Sequence, residues 1–286
     1  MVKKANLFMI FLLCFNLLII TSMGTLYWQF WHGTAVGAFI RSPWWLIANQ
    51  IIGLLIPMFI FKMLGVSAGG LRPWSLMFPD ATGRGSFAFF ANSFLVIGIT
   101  MLLQPVMMLV SAISSLFMSN PVPYLFTELS ALPIPMALVI IALTPAICEE
   151  WVFRGYILDM YSEKRIAIAA LVNGLSFGII HLNLHQFFYA FAMGVVFAFF
   201  VYFTRSLFYA ILAHFAVNSF QYVLGTMAIG YEGFVQSGVA EAAETGRDEL
   251  LMAITGLAQF SIFTLPAAVG LFYLLIKFND LRDKII

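Results

Sequence analysis

Six polar residues stand in surroundings where a chain this apolar rarely places them: Glu149, Glu150, Arg154, His181, His214 and Asn218. Ionisable groups at membrane depth cost several kcal/mol each, so they mark function by default. The set contains the parts of an amide hydrolase. One Glu can polarise a water, and a His beside it can share the proton or orient the water. A second His and an Asn can donate hydrogen bonds to the oxyanion of a tetrahedral intermediate. The same Glu and two His could instead hold a zinc ion that activates the water. Spacing leaves both open, although no His-Glu-x-x-His stands on one helix.

The run Pro145-Ala-Ile-Cys-Glu-Glu-Trp-Val-Phe-Arg-Gly155 reads as helix. Glu150 and Arg154 are four apart and nearly eclipsed, so they can pair within one helix. Glu149 and Arg154 are about 140° apart around the axis, which leaves Glu149 to face other helices. A carboxylate in a low-dielectric site without a close cation holds its proton more firmly, which suits a general base. Pro145 has no N–H, so the carbonyl of Ile141 loses its helical partner. On a second helix Phe177 and His181 share a face, and Gly178 permits close approach of a neighbouring backbone. On a third, His214 and Asn218 share a face. The turn Glu163-Lys164-Arg165 lies midway between Glu149 and His181. A helical hairpin there puts both at one height, about 22–24 Å along their helices.

These three helices need a frame, and composition supplies one. The chain has 286 residues, 62% hydrophobic, 16% aromatic and 9% charged. Soluble domains are about one quarter charged. The net charge of +1 excludes a nucleic-acid binder, which needs a strong basic patch. Cys14 and Cys148 both lie in apolar runs, so no disulfide framework is expected. Uncharged stretches give eight candidate spans, at about 7–27, 44–61, 87–118, 133–158, 166–181, 186–203, 207–224 and 250–276. The third is overlong and carries Gln104-Pro105, the fifth is short, and Gly225 to Glu249 reads as the clearest loop. The first run is taken as an uncleaved span rather than a secretory signal. Residues 1–286 form a single all-α membrane domain with a motif-bearing core at about 133–224.

Cations orient the bundle. With Arg154 set aside, one side holds Lys3, Lys4, Lys62, Arg72, Arg84, Lys164, Arg165, Arg205, Lys277, Arg282 and Lys284, and the other only Arg41 and Arg247. By the positive-inside rule both termini are expected in the cytoplasm.

These motifs resemble those of the type II CAAX prenyl endopeptidases and their prokaryotic relatives, the CPBP or Abi family. Glu149-Glu150 with Arg154 is similar to Glu-Glu-x-x-x-Arg, and Phe177 with His181 to Phe-x-x-x-His. His214 with Asn218 is similar to His-x-x-x-Asn/Asp. Thr204-Arg-Ser-Leu207 resembles the family's Thr-Gly-Ser-Leu, with Arg205 replacing the common Gly. The resemblance covers about 149–218. It implies a multi-pass protein of a prokaryotic cell membrane that acts on a membrane-associated or lipidated peptide. It further implies that Glu149 and His181 activate the water, that His214 and Asn218 stabilise the oxyanion, and that Glu150 and Arg154 shape the site. The family is usually described as metalloproteases, and a metal-free glutamate mechanism is also argued for it. No cofactor is required by the pattern, zinc being the one candidate, and the absence of an obvious third strong ligand favours the metal-free route. Two other readings stay open. One is a transporter or proton relay using the same groups. The other is a non-catalytic membrane regulator such as a bacteriocin-immunity protein.

Overall fold

The computed structural model describes residues 2–66, 85–118, 122–161, 164–236 and 242–285. Among these the regular structure is all helix, without a strand. Seven helices among the described residues are long and apolar enough to cross a membrane. They are α1 (Val2–Trp31), α2 (Trp44–Met63), α3 (Ser86–Ser115), α4 (Ile134–Met160), α6 (Leu184–Thr204), α7 (crossing part Leu207–Met227) and α8 (crossing part Asp248–Asp280). Between α4 and α6 lies α5 (Ile166–Ile180), apolar but only 15 residues long. Its length is about 22 Å, short of a ~30 Å hydrocarbon core. The expected fifth span is therefore an apolar helix too short for a full crossing. A short helix, Val122–Ser130, connects α3 to α4.

The expected loop at Gly225–Glu249 is largely helix. Helix runs to Gln236 and resumes at Ala242, while 237–241 lie outside the described residues. Gly225 is not a turn residue. A Cβ there would lie 2.4 Å from the ring of Phe126, so this glycine admits the Val122–Ser130 helix against α7. Pro105 likewise sits inside one continuous helix rather than breaking it.

Polar contacts gather the cation-bearing helix ends at one end of the bundle. Tyr161 after α4 donates to Asn6 at the start of α1, and Tyr156 donates to the carbonyl of Val66 after α2. Asn279 near the end of α8 donates to Asn92 near the start of α3 at 3.0 Å, and Asn92 donates in return at 3.3 Å. The start of α7 joins them, since Gly155 faces Leu207 and the Phe89 ring lies tilted against that of Tyr209, their centres 6.4 Å apart. Lys3, Lys4, Lys62, Lys164, Arg165, Arg205 and Lys277 thus flank one end. Arg72 and Arg84 lie outside the described residues.

The helices nearest the polar residues are closely matched. In α5, Gly174 and Gly178 face α6. A Cβ at Gly178 would lie 2.9 Å from the carbonyl oxygen of Phe187, and one at Gly194 would lie 2.9 Å from Cα of Gly174. Small residues at such crossings let backbones touch, which drives association where lipid is as apolar as protein.

Candidate active site

The helix α4 is irregular around the glutamates. A regular turn, Thr144–Glu150, sits between π-helical segments Val139–Leu143 and Trp151–Ile157. Insertions of this kind re-aim side chains and are frequent at functional sites. A π-helical segment also follows Gln50 in α2.

Glu150 and Arg154 form the expected intrahelical pair at 2.8 Å, both fully buried. Arg154 also donates to the carbonyl of Gly194 at 3.0 Å. Its guanidinium lies 4.3 Å from the ring centre of Phe177 and 5.4 Å from that of Phe197. The oxygen of Glu150 that meets Arg154 also accepts from Nδ1 of His214 at 2.8 Å. Glu150 therefore ties α4 to α7 as well as to Arg154, a tie the sequence did not disclose.

Glu149 turns away from Arg154 into a cavity of about 380 Å³. One of its oxygens accepts from Nε2 of Gln50 at 2.8 Å. The other has no hydrogen-bond partner and lies 3.8 Å from Nε2 of His214. Gln50 is the site residue that sequence reasoning missed. Its signal was a pair of carboxamides, Asn49 and Gln50, inside an uncharged span, the same kind of warrant that had singled out Asn218.

His181 and Asn218 line the same cavity as Glu149 and His214. Their own hydrogen bonds go to backbone. Nδ1 of His181 lies 2.7 Å from the carbonyl of Phe177. A carbonyl only accepts, so Nδ1 carries the proton and the neutral ring keeps its lone pair on Nε2. Asn218 donates to the carbonyl of Ile141 at 3.0 Å, the carbonyl that Pro145 deprives of a helical partner. Phe177 explains the Phe of its motif. It stands edge-on to both imidazoles, 4.9 Å from His181 and 5.8 Å from His214.

His185, at the start of α6, is buried. Its Nε2 meets the carbonyl of Ser111 at 3.1 Å and the hydroxyl of Ser115 at 3.0 Å. The reason is the capped start of α6. Asn183 accepts from the backbone N–H of His185 and Gln186, which turns the helix inward just before the ring.

A zinc ion would draw on Glu149, His181 and His214. Among the described residues no three His, Cys, Asp or Glu side chains stand close enough to hold a metal. The arrangement does not fit zinc, and no step below runs through one.

A bundle of apolar helices that buries a Glu–Arg–His cluster beside a polar cavity is that of a multi-pass membrane protein. Residues 131–220, which hold all three motifs, match the model of the family described as type II CAAX prenyl endopeptidase Rce1-like. The match bears out the family resemblance read from the motifs and supports protease activity in general. The comparisons with curated proteins and with solved structures gave no match.

Proposed function

We propose that the chain is an intramembrane endopeptidase of a prokaryotic cell membrane. It hydrolyses a peptide bond of a membrane-associated or lipidated peptide with a water activated by Glu149. The observation that carries this reading is the free oxygen of Glu149 facing Nε2 of His214 at 3.8 Å across a cavity that His181 and Asn218 also line.

The free oxygen of Glu149 takes a proton as water attacks the scissile carbonyl, with Nε2 of His181 orienting that water. The C=O becomes a tetrahedral oxyanion. Asn218 supports it with the N–H not given to Ile141. Nε2 of His214 faces the same space and, when it carries a proton, donates to the oxyanion as well. Glu149 then returns its proton to the amide nitrogen, the C–N bond breaks, and a carboxylic acid and an amine leave. Gln50 fixes the rotamer of the base, and Glu150 that of His214.

The test is cleavage of membrane-associated peptides by purified protein. Glu149→Ala is expected to abolish it, and full cleavage by that variant would sink the mechanism.

A further inference from the structure

Gln50 stands in α2 just before the π-helical segment Ile51–Leu55. Asn16 of α1 holds that segment, donating to the carbonyl of Gly53 at 2.9 Å. A Cβ at Gly53 would lie 2.6 Å from the side-chain oxygen of Asn16, so the glycine is what lets α1 close on α2 here. The turn of α2 that follows Gln50 is thereby anchored, and the Gln50 carboxamide is part of the wall around Glu149.

The two arms of that carboxamide fare differently. Nε2 donates to Glu149 at 2.8 Å, whereas Oε1 is buried and has no hydrogen-bond partner. Exchanging the arms would not help. A carboxylate oxygen only accepts, so the arm facing Glu149 must be the NH2 and the other must be the oxygen. A buried acceptor without a donor is costly, and native proteins keep few that serve nothing. The two heteroatoms of a carboxamide are about 2.3 Å apart, so Oε1 lies within about 5 Å of the carboxylate oxygen that Nε2 holds. Successive Cα atoms of a peptide are about 3.8 Å apart. A peptide with its scissile carbonyl beside Glu149 therefore brings a neighbouring N–H into this range. The rest of the wall suits such an occupant. Apart from Glu149 and the two imidazoles its polar side chains are uncharged, and Asn49, Gln186, Asn218 and Gln221 add further carboxamides.

We infer that Gln50 is a specificity-determining residue whose Oε1 accepts one main-chain N–H of the bound peptide, from a residue flanking the scissile bond. The contact rests on the peptidase reading for where the cut falls. With that N–H in place both arms of the carboxamide are engaged, and each hydrogen bond polarises the other. A seated peptide thus firms the hold of Gln50 on the base. Proline, which has no N–H, is excluded from that one position, and the choice is made on the main chain rather than on a side chain.

The test uses the purified full-length protein in detergent and a pool of uncharged peptides. From a peptide that is cut, a series is made in which each main-chain N–H flanking the cut is replaced in turn by an ester oxygen. The exchange removes the donor and barely alters the shape. Against the wild-type protein one ester should stand out, with kcat/KM lowered roughly tenfold or more, and proline at that position should block the cut. Against Gln50→Met the same ester should cost under about twofold. Gln50→Asn, which draws the amide back by one methylene, should shrink the penalty too and serves if Gln50→Met does not fold. Ester penalties alike in wild type and variant, or no ester that stands out, overturn the contact and leave the peptidase standing. If no peptide is cut, the series is built on the pool member that binds most tightly, and affinities replace rates. One ester that weakens binding to the wild type and not to Gln50→Met then keeps the contact and sinks the peptidase. Neither cutting nor saturable binding sinks both.

Discussion

Glu150 holds the Nδ1 side of His214 at 2.8 Å and leaves Nε2 of that ring facing Glu149. The two adjacent glutamates thus address opposite nitrogens of one imidazole. Glu150, with Arg154 on the same oxygen, cannot reach the cavity; Glu149 lines it.

Separate substitutions should expose that division. Glu149→Gln keeps the volume and the contact with Gln50 but removes the base. It is expected to lower cleavage by about 10²–10⁴-fold with little change in thermal stability. Glu150→Gln should lower both. Cleavage rates and melting temperature in detergent decide, and equal loss of stability in the two variants would contradict the assignment.

Arg154 carries the larger structural stake. Arg154→Met leaves Glu150 buried without its cation, which typically costs about 3–5 kcal/mol. The double variant Glu150→Met/Arg154→Met removes both charges and should recover part of that loss. Activity should not return with it, because His214 still lacks the acceptor on Nδ1. Denaturant melts of the four proteins give the coupling, and a double variant less stable than Arg154→Met would refute the pairing.

Much of this was legible in the sequence. The Glu150–Arg154 pair follows from a spacing of four on one helix, and the orphaned Ile141 carbonyl from Pro145 alone. What helical periodicity cannot show is which helix meets which. Gln50 is 99 residues from Glu149, and its only local mark is an amide in an apolar run. His185 is 74 residues from Ser111, whose carbonyl its ring meets, and nothing in the short run around it marks that partner. Gly225 looked like a loop glycine because close approach and turn formation use the same residue for the same missing Cβ.

Gln50 should tune the base. A hydrogen bond to a charged group contributes about 1.5–3 kcal/mol, so Gln50→Leu is expected to lower kcat roughly 10- to 100-fold. The loss should fall on kcat more than on KM. A Gln50→Leu enzyme with unchanged kcat would show that the 2.8 Å contact does not position Glu149.

Arg205 adopts φ +56° and ψ 28° at the end of α6, the left-handed region that glycine enters without steric cost. This is the position where the family commonly has Gly. The Arg guanidinium lies 5.3 Å from the ring centre of Tyr202, a contact that offsets part of the strain. Arg205→Gly is expected to raise stability by under about 1 kcal/mol, seen as a small rise in melting temperature. A clear fall would mean that the cation contact outweighs the backbone term.

The proposed mechanism gives Asn218 two tasks that can be pulled apart. One N–H caps Ile141, and the other is left for the oxyanion. Asn218→Leu should cost about 1 kcal/mol for the uncapped carbonyl and lower kcat by about 10²–10³-fold if the second N–H supports the oxyanion. Pro145→Ala restores an N–H four residues after Ile141, so the stability cost of Asn218→Leu should shrink in that background while the catalytic cost stays. Melting temperature and kcat measured across the four-member cycle read the two tasks independently. If kcat recovers together with stability, Asn218 serves only to cap the helix.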